Sequence, residues 1–179
     1  MIVALDRDGV INEESSDYIK SPEEWQPIPG SIEAIAALSK AGYRVFVLTN
    51  QSGLHRGLFD LKTLEAIHHK MQAAVKQHGG IIEHIFYCPH TPEENCACRK
   101  PKTGLVEQLC QFAKCESNDI VFVGDSLRDL QAAETAHCRQ WVLVKTGNGE
   151  KTLADHLHDP VIAKARIYPD LKHFALTLL

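Results

Sequence analysis

Short runs of consecutive apolar residues alternate along this chain with longer segments in which apolar positions recur every three to four residues. The first kind reads as strands buried on both faces, the second as amphipathic helices. The runs Ile2 to Leu5, Tyr43 to Leu48, His84 to Tyr87, Ile120 to Val123 and Trp141 to Val144 are of the first kind. Between them the pattern predicts helices from Gly30-Ser31 to about Ala41, from an Asp60 cap to about His78, from Thr103-Gly104 to about Lys114, and after Asp125-Ser126 to about Ala136. Gly42 and Gly79-Gly80 stand as helix stops. Residues 13 to 29, with Pro22, Pro27 and Pro29, read as loop. Past the last run come a Gly-containing loop at Lys145 to Glu150, a short helix at Lys151 to Leu157, a marginal strand at Ile167-Tyr168 and a closing helix over Leu171 to Leu178.

Strands alternating with helices of this length build one parallel sheet with helices on both faces, so the expected fold is α/β and doubly wound. Such sheets bind ligands beyond the C-terminal ends of their strands. That rule brings Asp6 and Asp8, Thr49 and Asn50, and Asp125 and Asp129 to one crevice from three strand ends far apart in the chain. Singly, each has an ordinary explanation: Asp6-Arg-Asp-Gly and Thr49-Asn50 as turns, Asp125-Ser126 as a turn and helix cap, Asp129 as a solvated helix charge. Together they point to chemistry.

Paired carboxylates suit phosphoryl transfer, with Asp6 attacking phosphorus and Asp8 giving and then removing a proton at the leaving oxygen. Crowded carboxylates repel, and a hard divalent cation relieves that; Mg2+ held by Asp6, Asp125 and the backbone carbonyl of Asp8 is the expectation. The Thr49 hydroxyl and the N–H groups of Asn50, Gln51 and Ser52 suit the oxygens of a phosphoryl group in flight. Lys100, beside Pro101, offers a point charge, and Arg99 a bidentate contact to the same or a second phosphate. Without the other loops, Arg99-Lys100 would read as an exposed basic turn.

Length and composition narrow the partners. A chain of 179 residues that is 44% hydrophobic holds one core, and a single domain over 1–179 is expected. The net charge of -4, with both signs interspersed, argues against nucleic-acid and membrane-surface partners. No apolar run reaches membrane-spanning length and Met1 leads straight into a strand, so a cytoplasmic monomer is expected. Of six cysteines, Cys110, Cys115 and Cys138 read as inert core thiols. The others crowd into Cys88-Pro-His90 and Cys96-Ala-Cys98, four soft or imidazole ligands, as a closed tetrahedral Zn2+ site requires. A closed site is structural, and this one would fix the loop that delivers Arg99 and Lys100.

Asp6-Arg-Asp-Gly-Val, Thr49-Asn-Gln-Ser-Gly, Arg99-Lys-Pro and Val123-Gly-Asp-Ser-Leu-Arg-Asp resemble, in order, the four motifs of haloacid dehalogenase superfamily phosphatases over residues 2 to about 147. The resemblance implies a five-stranded parallel sheet of order 5-4-1-2-3, an aspartyl-phosphate intermediate and Mg2+. It assigns Asp6 as nucleophile, Asp8 as acid/base, Thr49 and Lys100 as phosphoryl stabilisers, Arg99 as substrate selector and Asp125 as the last Mg2+ ligand. Too little chain separates the motifs for a cap domain, so selectivity falls to the loops at 13–25, 55–59 and 88–102, with Glu14, Ser15, Ser16, Asp17 and Arg56 as contacts. Ser126 stands where the family has Lys or Ser, which leaves a substrate contact there open. The zinc loop on a capless core resembles the histidinol-phosphatase-like subgroup. Two activities compete there, hydrolysis of a phosphorylated sugar in lipopolysaccharide biosynthesis, which the motif details favour, and hydrolysis of histidinol phosphate. From other classes, a phospho-acceptor receiver module would need its acceptor Asp after the third strand, where Cys88-Pro-His stands, and a zinc-stabilised module could hold ligand without turning it over.

Overall fold

In the computed structural model, which describes residues 1–179, the apolar runs form β1 (Ile2–Leu5), β2 (Arg44–Asn50), β3 (His84–Cys88), β4 (Ile120–Gly124) and β5 (Gln140–Val144), joined by β6 (Arg166–Tyr168). All pair in parallel, in the order β3-β2-β1-β4-β5-β6. The sheet thus has six strands, which corrects the five-stranded expectation. β6 is the marginal strand expected at Ile167-Tyr168, left out of the expected sheet because it has no buried run: Arg166 and Ile167 are exposed at the sheet edge. Its register with Val142, Leu143 and Val144, and the packing of Tyr168 on Phe174 at 5.6 Å between ring centroids, make it a strand.

The helices are α1 (Ser31–Lys40), α2 (Leu61–Gln77), α3 (Gly104–Ala113), α4 (Leu127–Thr135), α5 (Gly149–Asp155), α6 (Pro160–Lys164) and α7 (Leu171–Leu176). Alternation along the strands sorts the core into two layers. Val3, Leu5, Val45, Val47, Val121 and Val123 join Ile35 and Leu38 of α1, Ile67 and Met71 of α2 and Phe174 of α7. Ile2, Ala4, Phe46, Leu48, Ile120 and Phe122 join Leu105 and Leu109 of α3 and Ala132 and Ala133 of α4. Cover on both faces is why the strands read as unbroken apolar runs. α6 was not predicted: its two buried apolar residues, Val161 and Ile162, are too few for a period and are recruited by Leu130 and Leu143.

Two local differences bear on the site. β2 runs on through Thr49 and Asn50, which pair with Tyr87 and Cys88, so these polar residues end a strand rather than begin a loop. Gly30, with φ 84, caps α1, while Ser31 lies inside it and donates its hydroxyl to Ile11 O at 2.6 Å, tying the helix to the loop after β1. No cap domain interrupts the connections. The flap over residues 13–29 is held at its base by Glu13 N donating to Gln26 O and Ile28 N to Ile11 O, each at 2.9 Å, and Lys70 of α2 donates to Trp25 O at 3.0 Å. No helix is long and apolar enough to cross a membrane.

Candidate active site

β1 and β4 end side by side, and Asp6 N–H prolongs their pairing by donating to Val123 O at 2.9 Å. The Asp6 carboxylate therefore emerges beside Asp125, which follows β4. One oxygen from each of Asp6, Asp125 and Asp129 lies within 4.8 Å of the others. Lys100, only 2% exposed, brings Nζ to 2.9 Å from Asp6 Oδ1 and 2.7 Å from Asp129 Oδ1. Nζ also donates to Leu48 O at 2.8 Å.

Three buried carboxylates facing one ammonium leave surplus negative charge. Burial and then the charge of Asp129 push Asp6 up to about 7, against the pull of Lys100. Burial, Asp129 and Asp6 push Asp125 up to about 8. Asp129 moves the other way, because Lys100 and the Ser126 hydroxyl outweigh burial, and Lys100 stays above its ordinary value because Asp129 and Asp6 outweigh burial too. An all-oxygen cluster short of positive charge fits a hard divalent cation.

Close backbone approach makes room for it. A Cβ at Gly9 would lie 2.0 Å from Asp125 Oδ2, and one at Gly147 2.3 Å from the same atom; both glycines also have positive φ. Asn148 N–H donates to Asp125 Oδ2 at 2.7 Å and the Thr152 hydroxyl to Asp125 O at 2.9 Å. Asn50, at the tip of β2, clasps the lysine backbone, accepting Lys100 N–H at Oδ1 and donating from Nδ2 to Lys100 O, both at 3.1 Å.

Asp8 is held from three sides. Arg7, fully buried, donates from Nε and Nη2 to Oδ1 at 3.1 and 2.9 Å and from Nη2 to Oδ2 at 3.1 Å. Asn12 Nδ2 donates to Oδ1 at 2.8 Å, and Gln51 Nε2 to Oδ2 and to Thr49 Oγ1, each at 2.9 Å. Burial alone would raise the Asp8 pKa, but the Arg7 charge and these bonds hold it below the usual carboxylate range. Arg7 Nη1 in turn meets His68 Nε2 of α2 at 3.2 Å.

His68 is held down to about 3, chiefly by burial and then by the charge of Arg7. Its folded pKa lies below the ordinary 6.5, so the unfolded chain binds the extra proton and stability falls as pH drops from about 6.5 towards 3. His68→Gln should remove that component: wild type is expected to lose about 2 kcal/mol more than the variant between pH 7.5 and 5. Urea midpoints of both proteins at the two pH values measure it, and equal losses would refute it.

A cavity of about 350 Å³ opens on the carboxylates, lined by Asp6, Asp8, Glu14, Ser15, Ser16, Asn50, Gln51, Ser52, Arg99, Lys100 and Asp125 among the expected residues. Thr49, 1% exposed, lies outside that lining. Three expected contacts stand apart from it. Asp17 is exposed and pairs with Lys20, Arg56 is exposed, and the Ser126 hydroxyl turns to Asp129 Oδ2 at 2.6 Å. Sequence reasoning left Tyr18, Ile19, Arg128 and Asn148, which line the cavity, out of the contacts, and gave Asp129, which holds Lys100, no role. Arg128 and Asp129 carried a signal as the last two residues of the Gly-Asp-Ser-Leu-Arg-Asp stretch, and Tyr18 and Ile19 as members of the 13–25 loop.

Cys88, His90, Cys96 and Cys98 bring their ligand atoms within 4.8 Å of one another. The three sulfurs are 3.0 to 3.6 Å apart, and His90 Nδ1 is 3.2 Å from Cys98 Sγ and 3.4 Å from Cys88 Sγ. Sulfurs held about 2.3 Å from a tetrahedral Zn2+ would be about 3.8 Å apart, so the cluster suits that ion after slight expansion. Burial raises the Cys88 thiol, while at Cys96 the Arg99 N–H and the other thiols outweigh burial and lower it to about 6. Arg99 leaves this loop with Nη1 donating to His90 O at 3.3 Å.

Residues 2–137 match the family model described as haloacid dehalogenase-like hydrolase. The chain belongs to that family. Among curated members of the haloacid dehalogenase-like hydrolases, it is 49% identical over 178 residues to the D-glycero-beta-D-manno-heptose-1,7-bisphosphate 7-phosphatase of Pseudomonas putida, covering 99% of both chains. The protein of that name from Bordetella bronchiseptica is 53% identical over 153 residues, 86% of this chain and 85% of that one. The crystal structure of D,D-heptose 1,7-bisphosphate phosphatase from B. bronchiseptica, complexed with magnesium and phosphate, superposes with a TM-score of 0.94 at 48% identity, covering 99% of this chain and 97% of that one.

Proposed function

We infer that this hydrolase is a Mg2+-dependent phosphatase that removes the C7 phosphate of D-glycero-D-manno-heptose 1,7-bisphosphate. The observation that carries the reading is the meeting of Asp6, Asp125 and Lys100 at one strand edge, in a chain that matches relatives of that activity end to end. Asp6 is the nucleophile, forming an aspartyl-phosphate that water then opens. A bound phosphate dianion raises the Asp8 pKa against the pull of Arg7, so Asp8 protonates the leaving oxygen and later takes the proton of the attacking water. Lys100 and the N–H groups of Asn50 and Ser52 offset charge on the phosphoryl oxygens, with the Thr49 hydroxyl beside them; the Gln51 N–H, expected to join them, is taken by Cys88 O at 2.7 Å. Asp6, Asp125 and the Asp8 carbonyl would hold Mg2+, which when bound neutralises carboxylate and phosphoryl charge.

A bisphosphate also accounts for the two guanidiniums at the cavity rim. Arg99 and Arg128 both line it, and the Arg99 pKa falls through burial and then through repulsion by Arg128. A second phosphate dianion relieves that repulsion, whereas the cationic side of histidinol phosphate would add to it. The reading takes a single domain over residues 1–179, acting as a monomer. Phosphate release by purified protein with Mg2+ tests it, using both heptose 1,7-bisphosphate anomers, fructose 1,6-bisphosphate and histidinol phosphate. A heptose anomer should lead the others at least about 100-fold in kcat/KM. Release that stops at one equivalent per enzyme, or a preference for histidinol phosphate, would overturn the reading.

Zn2+ in the Cys88, His90, Cys96, Cys98 cluster is structural and shapes the loop that carries Arg99 and Lys100. Metal analysis should find about one Zn2+ per chain. Cys98→Ser should lose it and lower Tm by about 10 °C. An unchanged Tm, or full activity without zinc, would count against a structural ion.

A further inference from the structure

We propose that His68, on α2, is a positioning residue for the proton transfer, acting through Arg7 to keep Asp8 aimed at the leaving oxygen. The inference rests on the phosphatase reading above. Its basis is the hydrogen-bond inventory of a buried guanidinium.

Arg7 has no exposed surface, and Nε and Nη2 are taken by Asp8. Nη1 points away from that carboxylate, and its side-chain partner is His68 Nε2 at 3.2 Å. A guanidinium only donates, so Nε2 must accept, which makes His68 the neutral tautomer protonated at Nδ1. The ring is fixed by burial in α2, at 8% exposure, with Tyr87 at 6.3 Å between centroids. Remove the acceptor and a buried N–H is stranded, so the fork gains by rotating towards some other oxygen. Rotation would break the side-on contact that, with Asn12 Nδ2 and Gln51 Nε2, fixes the plane of the Asp8 carboxylate.

That contact is the larger part of what holds Asp8. Five donor contacts fall on two oxygens, three on Oδ1 and two on Oδ2. Three of the five come from Arg7, so the guanidinium does most to set how the carboxylate faces the cavity. Small misplacements of a proton donor are costly, and general acid catalysis is worth about 10²- to 10⁴-fold.

The test exploits leaving groups. A sugar phosphate expels an alkoxide that needs the proton; p-nitrophenyl phosphate expels a phenolate that does not. For both substrates kcat/KM reports the steps through departure of the leaving group. His68→Leu should lower kcat/KM about 30-fold or more with the sugar phosphate and less than about threefold with p-nitrophenyl phosphate. His68→Gln, whose amide oxygen can accept from Nη1, should return the sugar-phosphate value to within about fivefold of wild type. If His68→Leu does not fold, His68→Asn, whose shorter side chain stops short of Nη1, takes its place. An equal fall with both substrates, no fall with either, or no rescue by Gln would overturn the proposal. Lack of turnover by the wild-type protein would instead sink the phosphatase reading itself.

Discussion

Asp6→Asn is expected to lower phosphate release by at least about 10⁴-fold while leaving the fold in place. The carboxamide matches the carboxylate in shape but cannot attack phosphorus, and it removes one of three crowded negative charges. It also weakens the contact of Asp6 Oδ1 with Lys100, 2.9 Å in the native chain, so gain and loss in stability oppose each other. Tm should therefore stay within about 5 °C of wild type. Initial rates under saturating Mg2+, with thermal unfolding alongside, provide the check. A variant that keeps more than roughly 1% of the wild-type rate, beyond any contaminating phosphatase, would remove Asp6 from the nucleophile's role.

Lys100→Met should have the largest effect on stability. Lys100 is the ammonium between Asp6 and Asp129, and an isosteric thioether leaves those buried carboxylates without a cation. Breaking a buried ion pair from one side costs about 3–5 kcal/mol. Part of that is recovered by protonation, because Asp6 already sits up at about 7 and loses a partner that lowers it. A carboxyl raised further in the folded state binds more protons than the unfolded chain, so the variant's stability falls as pH rises. The deficit relative to wild type should be smaller at pH 5.5 than at pH 8, with turnover abolished at both. Denaturant melts without added Mg2+ at these two pH values decide the matter: a deficit under about 1 kcal/mol, or one that shrinks towards alkaline pH, contradicts the ion-pair account.

Both predictions rest on residues of very different legibility. Asp6 could be read from the chain because a buried strand followed by Asp-Arg-Asp-Gly is a local pattern. Lys100 was visible as a basic turn, but not that Asn50 would clasp its backbone from 50 residues away or that Asp129 would share its charge. Asp17 and Arg56 went astray for the opposite reason. They sit in the right loops, but a loop's sequence does not say which way its side chains turn, and these two remain in solvent. Ser126 carries the same lesson within a motif, since its hydroxyl serves Asp129 instead of the cavity.

By itself the sequence determined what can be encoded over a few residues: β1 to β5 as buried runs, α1 to α4 as amphipathic stretches, the acids at strand ends and the Cys/His spacing. Those signals survive because burial on both faces of a sheet, or on one stripe of a helix, dictates which residue types recur at which step. Tertiary structure alone decided that β6, a marginal strand in the sequence, joins the sheet, by pairing with Val142 to Val144. It also decided the chain from His68 through Arg7 to Asp8 and the glycine gap around the Asp125 carboxylate. Each of these depends on what a distant segment places alongside, and a polar side chain in a sequence looks the same whether water or a buried partner will satisfy it.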